Sequence, residues 1–397
     1  MTLPDDFTDS LVTDVSAPTA LAFTPDGRML VTSKSGQLHV FDQNGNELSS
    51  PALNIGPRVC SNSERGLLGV AVDPNFGSNG YVYLYYTYRK HGVCPDHKPA
   101  SRKNPVNRVS RFVINGNTVD QSIPEEVLID NIPSPNGNHN AGDLKFGKDR
   151  YLYISVGDGG CNYVKPSRCQ YENGASRKRH VLLGKILRIT PNGGIPPDNP
   201  FTGPDSARCN ETGRTARGKN CQETFVRGFR NPFRIAFDPD AADSSFFIND
   251  VGGQRWEEID QAQSGADYGW NLCEGRHDNP FRRGRVNCDG NTYTGPIHEY
   301  NHNTNCESIT GGAFVPDDGS WPDAYDDSYL YSDFVCGKIF ELKPDGGGIN
   351  STLFTDLDGR HPVAMAFGPP PAKDLYYTAF DFSGQDQVRR IAYTPGP

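Results

Sequence analysis

A single histidine stands at the start of the stretch from His139 to Gly160, which reads HNAGDLKFGKDRYLYISVGDGG. A turn from Gly147 to Asp149 precedes an apolar run from Tyr151 to Val156, and the stretch ends in Gly-Asp-Gly-Gly. Strand, loop and histidine form one site-bearing unit. Histidine is the side chain whose unperturbed pKa best suits proton transfer near neutral pH. A loop histidine is also often a hydrogen-bonded surface residue, so its role depends on the rest of the chain.

Two arginines and an asparagine precede another strand-like run, RGFRNPFRIAFD, which begins at Arg227. The planar guanidinium group suits recognition of carboxylates. We therefore expect Arg230 and Asn231 to have a functional role, whereas Arg227 fits a solvated loop arginine equally well.

Paired glycines follow in the segment NDVGGQRWEEIDQAQSGADYGWN, which begins at Asn249. Gly252 and Gly253 would let backbone carbonyls approach a ligand or a hard cation such as calcium, although a Gly-Gly pair alone is more often a turn. A basic pair, Arg360 and His361, occupies the place in the last repeat that His139 has in its own.

Other catalytic patterns are not found in the sequence. No GxSxG nucleophile elbow occurs, and no GxGxxG follows a strand within a βαβ unit, which argues against a serine hydrolase and a nicotinamide site. His298 and His302 are spaced like metal ligands but lack a third ligand, so we do not expect zinc.

The composition favours many short strands. Glycine is present 43 times and proline 31 times in 397 residues, while hydrophobic residues make up 35%. This is typical of an all-β protein. The formal net charge of −9 argues against nucleic acid as the main partner, and no apolar run approaches the roughly 18 residues of a membrane span.

One pattern recurs six times: a small or apolar residue with Phe or Val, a turn rich in Pro, Asp and Gly, and a β-rich run. The copies begin at Ala20, Gly66, Gly142, Phe233, Gly311 and Ala364. One such strand pair cannot bury its apolar face alone, so the units must stack or close on one another. We predict a six-bladed β-propeller that forms a single domain over residues 1–397. A separate domain over 191–308 is disfavoured because the fourth repeat begins inside it.

Long insertions separate the repeats at 89–107, 157–182, 191–226 and 268–308, and they hold eight of the ten cysteines. The cysteines lack the paired CxxC spacing of zinc sites, so disulfides that staple these loops are the better interpretation. Cys161 with Cys169, Cys209 with Cys221, and Cys273 with Cys288 are close enough to staple single loops, but the sequence leaves the connectivity open.

Disulfides favour an oxidising, extracellular location. Possible N-glycosylation acceptors at Asn210 and Asn350 agree with secretion. The first residues, MTLPDDFTDS, have neither a basic start nor an apolar core, so we expect a mature or excised domain without a signal peptide.

Taken together, the motifs ERGLLGVAVDPNF, NHNAGDLKF, YISVGDGG, LLGKILRITP, RGFRNPFRIAFDP, DVGGQRWEEID and ADYGWN resemble those of the soluble quinoprotein sugar dehydrogenases. That family implies a six-bladed propeller that uses pyrroloquinoline quinone (PQQ) and calcium. The resemblance covers roughly residues 15–394. The cysteine-rich, secreted character is most similar to the fungal PQQ-dependent pyranose dehydrogenases. These imply a pyranose sugar as substrate, a haem b cytochrome domain or an artificial dye as electron acceptor, and a monomer.

The resemblance also implies roles for individual residues. His139 would be the general base for the anomeric hydroxyl, and Arg230 would stabilise negative charge that develops on the quinone. Asn231 would hold the cofactor, and the backbone of Gly252 and Gly253 would bind calcium. The remaining matches are expected to contact the three PQQ carboxylates or to lie beside the calcium loop: Arg65, Arg360, His361 and Tyr268.

The sequence departs from the bacterial members of this family at three places. Glu64 replaces a glutamine, Arg360 and His361 replace a pair of arginines, and Val335 and Cys336 lie where a lysine is expected. Two other functions therefore stay open. One is a binding propeller without cofactor, like the Hedgehog-interacting proteins, and the other is a calcium-dependent lactone hydrolase.

Overall fold

The regular secondary structure of the protein is almost entirely β-strand. A computed structural model describes residues 2–279, 281, 286–288, 292–345, 348–369 and 373–395. Its only α-helix within these ranges is the single turn α1 (Phe76–Asn79). None of the helices in the described part of the chain has the length and hydropathy to cross a membrane.

Apart from the first strand, the strands of each sheet follow one another along the chain. The first fifteen are β1 (Phe7–Asp14), β2 (Pro18–Phe23), β3 (Met29–Ser33), β4 (Gln37–Phe41), β5 (Glu47–Asn54), β6 (Leu67–Val72), β7 (Tyr81–Tyr88), β8 (Val106–Asn115), β9 (Thr118–Val119), β10 (Glu126–Pro133), β11 (Ala141–Phe146), β12 (Leu152–Val156), β13 (Lys185–Ile189), β14 (Ser206–Ala207) and β15 (Asn220–Cys221). The others are β16 (Thr224–Arg227), β17 (Pro232–Phe237), β18 (Phe246–Asp250), β19 (Trp256–Gln261), β20 (Cys273–Glu274), β21 (His277–Asp278), β22 (His298–Asn301), β23 (Ile309–Phe314), β24 (Tyr329–Asp333), β25 (Lys338–Asp345), β26 (Gly348–Asp356), β27 (His361–Phe367), β28 (Leu375–Phe380) and β29 (Gln387–Tyr393). Short 3₁₀ turns occur at Gly56–Arg58, Gln170–Glu172, His302–Thr304 and Asp323–Tyr325. Long loops interrupt three of the sheets: between β7 and β8, on both sides of β13, and between β19 and β22.

Six antiparallel sheets of four strands each form the blades of a β-propeller. Outside these, β9 pairs with β8, and β14-β15 and β20-β21 form two small two-stranded sheets. Blade 1 is β2-β3-β4-β5, blade 2 is β6-β7-β8-β10, and blade 3 is β11-β12-β13-β16. Blade 4 is β17-β18-β19-β22, blade 5 is β23-β24-β25-β26, and blade 6 is β27-β28-β29-β1. The predicted six-bladed all-β fold is confirmed.

The ring closes through the first strand of the chain. β1 pairs with β29 and becomes the outermost strand of blade 6, so the two ends of the chain hold one sheet together. The six innermost strands contact one another in sequence, and β27 returns to β2. Closure of this kind leaves only short sheet edges exposed.

The hydrophobic core lies between the faces of neighbouring blades. Tyr85 and Leu152, from blades 2 and 3, belong to one buried cluster. Leu330 and Tyr377, from blades 5 and 6, belong to another. A blade is therefore covered on both faces, which explains strands such as β12 that are buried at every position.

Five disulfides staple the loops, as predicted. The three short pairs are those that the spacing suggested, and the two longer ones join Cys60 to Cys94 and Cys306 to Cys336. No cysteine is left free. Closing a loop of 8 to 34 residues restricts the unfolded chain, by about 2 to 4 kcal/mol per bridge.

The antiparallel order decides which loops can meet. In each blade the first strand begins, and the second ends, at the same end of the sheet. The six segments that enter an innermost strand and the six that leave a second strand therefore share one face of the ring.

Candidate active site

A cavity of about 510 Å³ opens at this face, on the axis of the ring. Every blade contributes to its wall. The lining residues that belong to the innermost strands or to their approaches are Thr19, Glu64, Leu68, His139, Ala141, Arg230, Asn231, Phe233, Arg234, Thr310 and Val363. The second strands of blades 1, 4, 5 and 6 add Lys34, Val251, Gly252, Gly253, Phe334, Val335 and Phe380 at their ends.

His139 lies in the wall of this cavity with its ring held by a buried carboxylate. Its Nδ1 is 2.7 Å from Oδ1 of Asp158, a residue with no exposed surface. An ionised carboxylate can only accept, so this bond requires a proton on Nδ1, and in the neutral form of the ring the lone pair is then on Nε2. Such a neutral histidine can accept a proton from a substrate.

Asp158 is itself fixed by two donors. The indole Nε1 of Trp270 donates to its Oδ2 at 2.9 Å, and the backbone N–H of Gly160 donates to its Oδ1 at 2.8 Å. The sequence analysis did not name Asp158 or Trp270 as site residues. The signal for Asp158 was present, since it is the acidic residue of the Gly-Asp-Gly-Gly segment that follows the second strand of blade 3.

The backbone of His139 is held as firmly as its ring. Its N–H donates to Oε2 of Glu64 at 2.7 Å, and its carbonyl accepts from Gly159 at 3.1 Å. The residue has a φ of 52°, in the left-handed region that most side chains avoid. Contacts with blades 2 and 3 therefore hold His139 in a backbone conformation that is unfavourable for a residue other than glycine.

Arg230 and Asn231 reach the same cavity from blade 4, as predicted. The carboxylate of Asp250 accepts from both of their backbone N–H groups, at 2.9 and 2.6 Å. Burial raises the pKa of Asp250 to about 7. The Arg230 guanidinium donates to the Val251 carbonyl at 2.9 Å. The Asn231 side chain accepts from Ala141 at 3.0 Å and so links blade 4 to the histidine loop of blade 3.

Gly252 and Gly253 line the cavity beside Arg230. Oε1 of Glu274 accepts from four successive backbone N–H groups, those of residues 253 to 256, at 2.8 to 3.1 Å. In a trans peptide the carbonyl points away from the N–H of the same unit. The carbonyls of Gly252 and Gly253 therefore point away from Glu274, and carbonyl oxygens are ligands of the type that a hard cation prefers.

Two further cationic side chains, which were not expected from the sequence, line the cavity. Arg234 is buried and donates to the Thr19 carbonyl at 2.5 Å, while its Nε has no hydrogen-bond partner. Lys34 follows the second strand of blade 1, and burial lowers its pKa although Glu64 and Asp96 act in the opposite direction. Lys34 comes directly after the second strand of blade 1, just as Gly157 and Asp158 come directly after the second strand of blade 3. That position after a second strand was the available signal.

Four residues that the resemblance assigned to the cofactor do not line the cavity. Arg65 is buried and donates to Ser134 and to the Pro95 carbonyl. Its burial away from solvent lowers its pKa to about 10. The Tyr268 hydroxyl donates to the Gln261 carbonyl at 2.6 Å, and its ring stacks on Phe229 in the core.

The other two lie behind the wall formed by Phe334. Nδ1 of His361 is 2.5 Å from the Phe334 carbonyl, and its ring packs against Phe382. Arg360 donates to the Leu357 carbonyl at 3.1 Å. Phe334 separates His361 from the cavity, whereas the Arg360 side chain is hydrogen-bonded within its own loop.

Comparisons with known proteins identify the family of the chain. The family described as Glucose / Sorbosone dehydrogenase matches residues 15–352. The chain is 28% identical to the HIPL2 protein of Arabidopsis thaliana, over 86% of this chain and 54% of that protein. It is 30% identical to the aldose sugar dehydrogenase YliI of Escherichia coli, over 64% of this chain and 59% of that protein. The chain thus spans little more than half the length of these relatives.

A solved structure has the same fold. The PQQ-bound aldose sugar dehydrogenase of Streptomyces coelicolor superposes with a TM-score of 0.71 at 21% identity, covering 98% of this chain and 99% of that one.

Proposed function

Because the chain belongs to the glucose/sorbosone dehydrogenase family, we propose that it oxidises the anomeric hydroxyl of a pyranose sugar to a lactone with PQQ as hydride acceptor. The observation that carries this proposal is the His139–Asp158 pair in the wall of a cavity that also holds three cationic side chains. The PQQ bound in the Streptomyces structure agrees with the choice of cofactor.

The residues present fit such a cofactor. PQQ carries three carboxylates, and Lys34, Arg230 and Arg234 line the cavity. The buried Nε of Arg234 lacks an acceptor, which an anionic group in the cavity would supply. Arg65, Tyr268 and Arg360 are engaged elsewhere, so we assign the carboxylate contacts to the three lining cations instead.

His139 would act on the sugar directly. Its Nε2 would take the proton of the anomeric hydroxyl while the hydrogen on C1 leaves with two electrons, so that the C1–O bond becomes a carbonyl. PQQ supplies the acceptor for that hydride. Asp158 would stabilise the imidazolium that forms, and the Arg230 guanidinium would stabilise negative charge that develops beside it.

Calcium is part of the proposal, with the carbonyls of Gly252 and Gly253 as protein ligands. A bound cation there would polarise the quinone as a Lewis acid. Gly252→Ala tests this assignment, because a Cβ at Gly252 would lie 1.5 Å from the Trp256 carbonyl oxygen and the loop would have to move. We expect calcium affinity to fall about tenfold to 100-fold, measured by competition with a chromophoric chelator. Gly203→Ala is the matched control, since its Cβ would meet no atom within 4 Å. Equal calcium affinity in both variants would contradict the assignment.

Narrower features of the function are also proposals. On the resemblance that the sequence motifs carry, pyranoses are proposed as substrates and a haem b cytochrome as electron acceptor. Five disulfides support secretion into an oxidising environment. We also propose that the chain acts as a monomer.

Reconstitution with PQQ and calcium tests the central proposal. We expect the protein to retain the quinone, and the absorbance of the oxidised quinone to bleach when a pyranose is added. The measurement is a spectrum before and after each member of a sugar panel. Retention without bleaching by any sugar would contradict dehydrogenase activity. Failure to retain PQQ would instead favour the binding propeller, and turnover of lactones without PQQ would favour the hydrolase.

A further inference from the structure

A second concavity of about 550 Å³ lies on the same face as the active-site cavity, beside blades 2 and 3. We call it the distal groove. Its walls come from the insertion after β7, the segment that enters β11, and the inserted loops of blade 3. The lining residues are Lys90, Pro99, Ser101, Asn104, Pro105, Val106, Asn131, Pro133, Ser134, Pro135, Tyr163, Thr212, Arg214 and Thr215.

Cations surround the one aromatic ring that lines the distal groove. The Nζ of Lys178 lies 5.6 Å, and the Cζ of Arg214 lies 5.9 Å, from the centre of the Tyr163 ring. Burial lowers the pKa of Lys178 first, and the neighbouring charges of Arg217, Arg168 and Lys165 lower it further. Together with Arg214, which lies over the same ring as Lys178, these side chains form a patch of five cations.

The cations of this patch are not neutralised by the protein. Among the described residues, none of the five has a carboxylate within 4.0 Å, in a chain whose formal net charge is −9. Like charges that face one another without counterions are unfavourable, unless an anionic ligand binds between them.

The other groups of the distal groove suit a carbohydrate. Ser101, Thr212 and Thr215 bring hydroxyl groups, and Tyr163 adds an aromatic ring to the lining. Oδ1 of Asn104 is buried and has no hydrogen-bond partner, while its amide nitrogen donates to the Lys98 carbonyl at 3.1 Å. A ligand hydroxyl would satisfy this acceptor.

The distal groove and the active-site cavity share a wall. Pro133, Ser134 and Pro135 line the groove, and Asn138 and His139 line the cavity a few residues later in the same segment. Pro135 also packs against Gly159, whose N–H donates to the His139 carbonyl. The segment that carries His139 therefore borders both the groove and the active-site cavity.

We propose that the distal groove binds the outer units of an oligosaccharide that carries uronate carboxylates, with its reducing end in the active-site cavity. The inference rests on the proposed function only for the placement of the reducing end. Carboxylates of the uronate units would pair with Arg214 and Lys178, and one sugar ring would pack on Tyr163.

Binding to the cofactor-free protein tests the groove without reference to catalysis. We expect trigalacturonic acid to bind at least about tenfold more tightly than neutral maltotriose in titration calorimetry. Its affinity should fall as the salt concentration is raised. Arg214→Gln and Lys178→Gln should each lower the affinity for trigalacturonic acid about tenfold. The matched control is Lys148→Gln, which removes the same charge at the turn between β11 and β12, on the opposite face of the ring.

Two results would overturn the proposal. One is equal affinity for the acidic and neutral trisaccharides. The other is an equal loss of affinity for trigalacturonic acid in the groove variants and in the Lys148→Gln control. Poly-glutamate distinguishes a carbohydrate site from a docking face for an acidic protein. If it binds as tightly as trigalacturonic acid and Tyr163→Leu affects neither ligand, the surface binds acidic proteins instead.

The reconstituted enzyme gives a second, separate readout. With trigalacturonic acid as substrate, Arg214→Gln should raise KM about tenfold and leave kcat nearly unchanged, because the groove contacts are the same in the ground and transition states. With a monosaccharide neither constant should change. An enzyme without sugar oxidation at all would contradict the proposed function while leaving the calorimetric result intact.

Discussion

His139→Ala is expected to reduce kcat/KM for sugar oxidation by about 10² to 10⁴ while PQQ and calcium remain bound. The variant removes the proton acceptor from the cavity wall. The cations that would hold the cofactor, Lys34, Arg230 and Arg234, do not depend on the imidazole for their contacts. The measurement is steady-state oxidation with an artificial electron acceptor, together with titration of PQQ into the cofactor-free variant.

Two controls separate the loss of a base from local unfolding. His91→Ala removes a histidine from an exposed loop and should leave turnover unchanged. His139→Asn puts a residue that tolerates positive φ at the same place, so it should keep the loop but not the activity. Turnover within twofold of the parent in His139→Ala would remove His139 from the role of base.

Asp158→Asn is expected to reduce kcat by about 10² to 10⁴ with little change in KM, because it reverses the tautomer of His139. An amide that presents its NH₂ to the histidine donates to Nδ1 and moves the ring proton to Nε2, where it blocks acceptance of a proton. The measurement is the pH profile of kcat, in which the limb that reports the base should shift or disappear.

Asp158→Asn also has a structural cost. The carboxylate accepts from Trp270 and Gly160 as well as from His139, so an amide must leave one of these donors without an acceptor. We expect a loss of about 1 to 3 kcal/mol in the free energy of unfolding. Trp270→Phe is the matched control, because it removes one donor to Asp158 without changing the tautomer of His139. Equal kcat losses in the two variants would show that Asp158 acts through packing alone.

The sequence was sufficient for the architecture because each blade is specified locally. Six copies of one turn-and-strand pattern, each unable to bury its own apolar face, leave a closed ring as the stable arrangement. The three short disulfides were predictable for the same reason, since their partners are close in the chain. The pairing of Cys60 with Cys94, and of Cys306 with Cys336, became clear only when the fold brought distant loops together.

The candidate site was predicted in part. His139, Arg230, Asn231, Gly252 and Gly253 do line one cavity. Their motifs place them where strands enter or leave the ring, and antiparallel order brings all such segments to one face. The presence of these five residues together follows from chain order and sheet topology.

The direction of individual side chains did not follow from the motifs. Glu64 lines the cavity whereas its neighbour Arg65 points into the protein and bonds to Ser134. The chain turns at this point, since the Arg65 N–H donates to the Asn62 carbonyl and Ser63 has a φ of 54°. Arg360 and His361 likewise matched the family by position, yet neither lines the cavity. A motif fixes which residue is present, but not which way it faces.

The sequence by itself determined the all-β composition, the six repeats, the disulfide chemistry and the identity of the histidine. Only the tertiary structure decided that Asp158 and Trp270 orient that histidine and that Lys34 and Arg234 supply positive charge. The physical reason is distance along the chain: Asp158 and Trp270 are 112 residues apart, and a hydrogen bond between them exists only after blades 3 and 4 have packed.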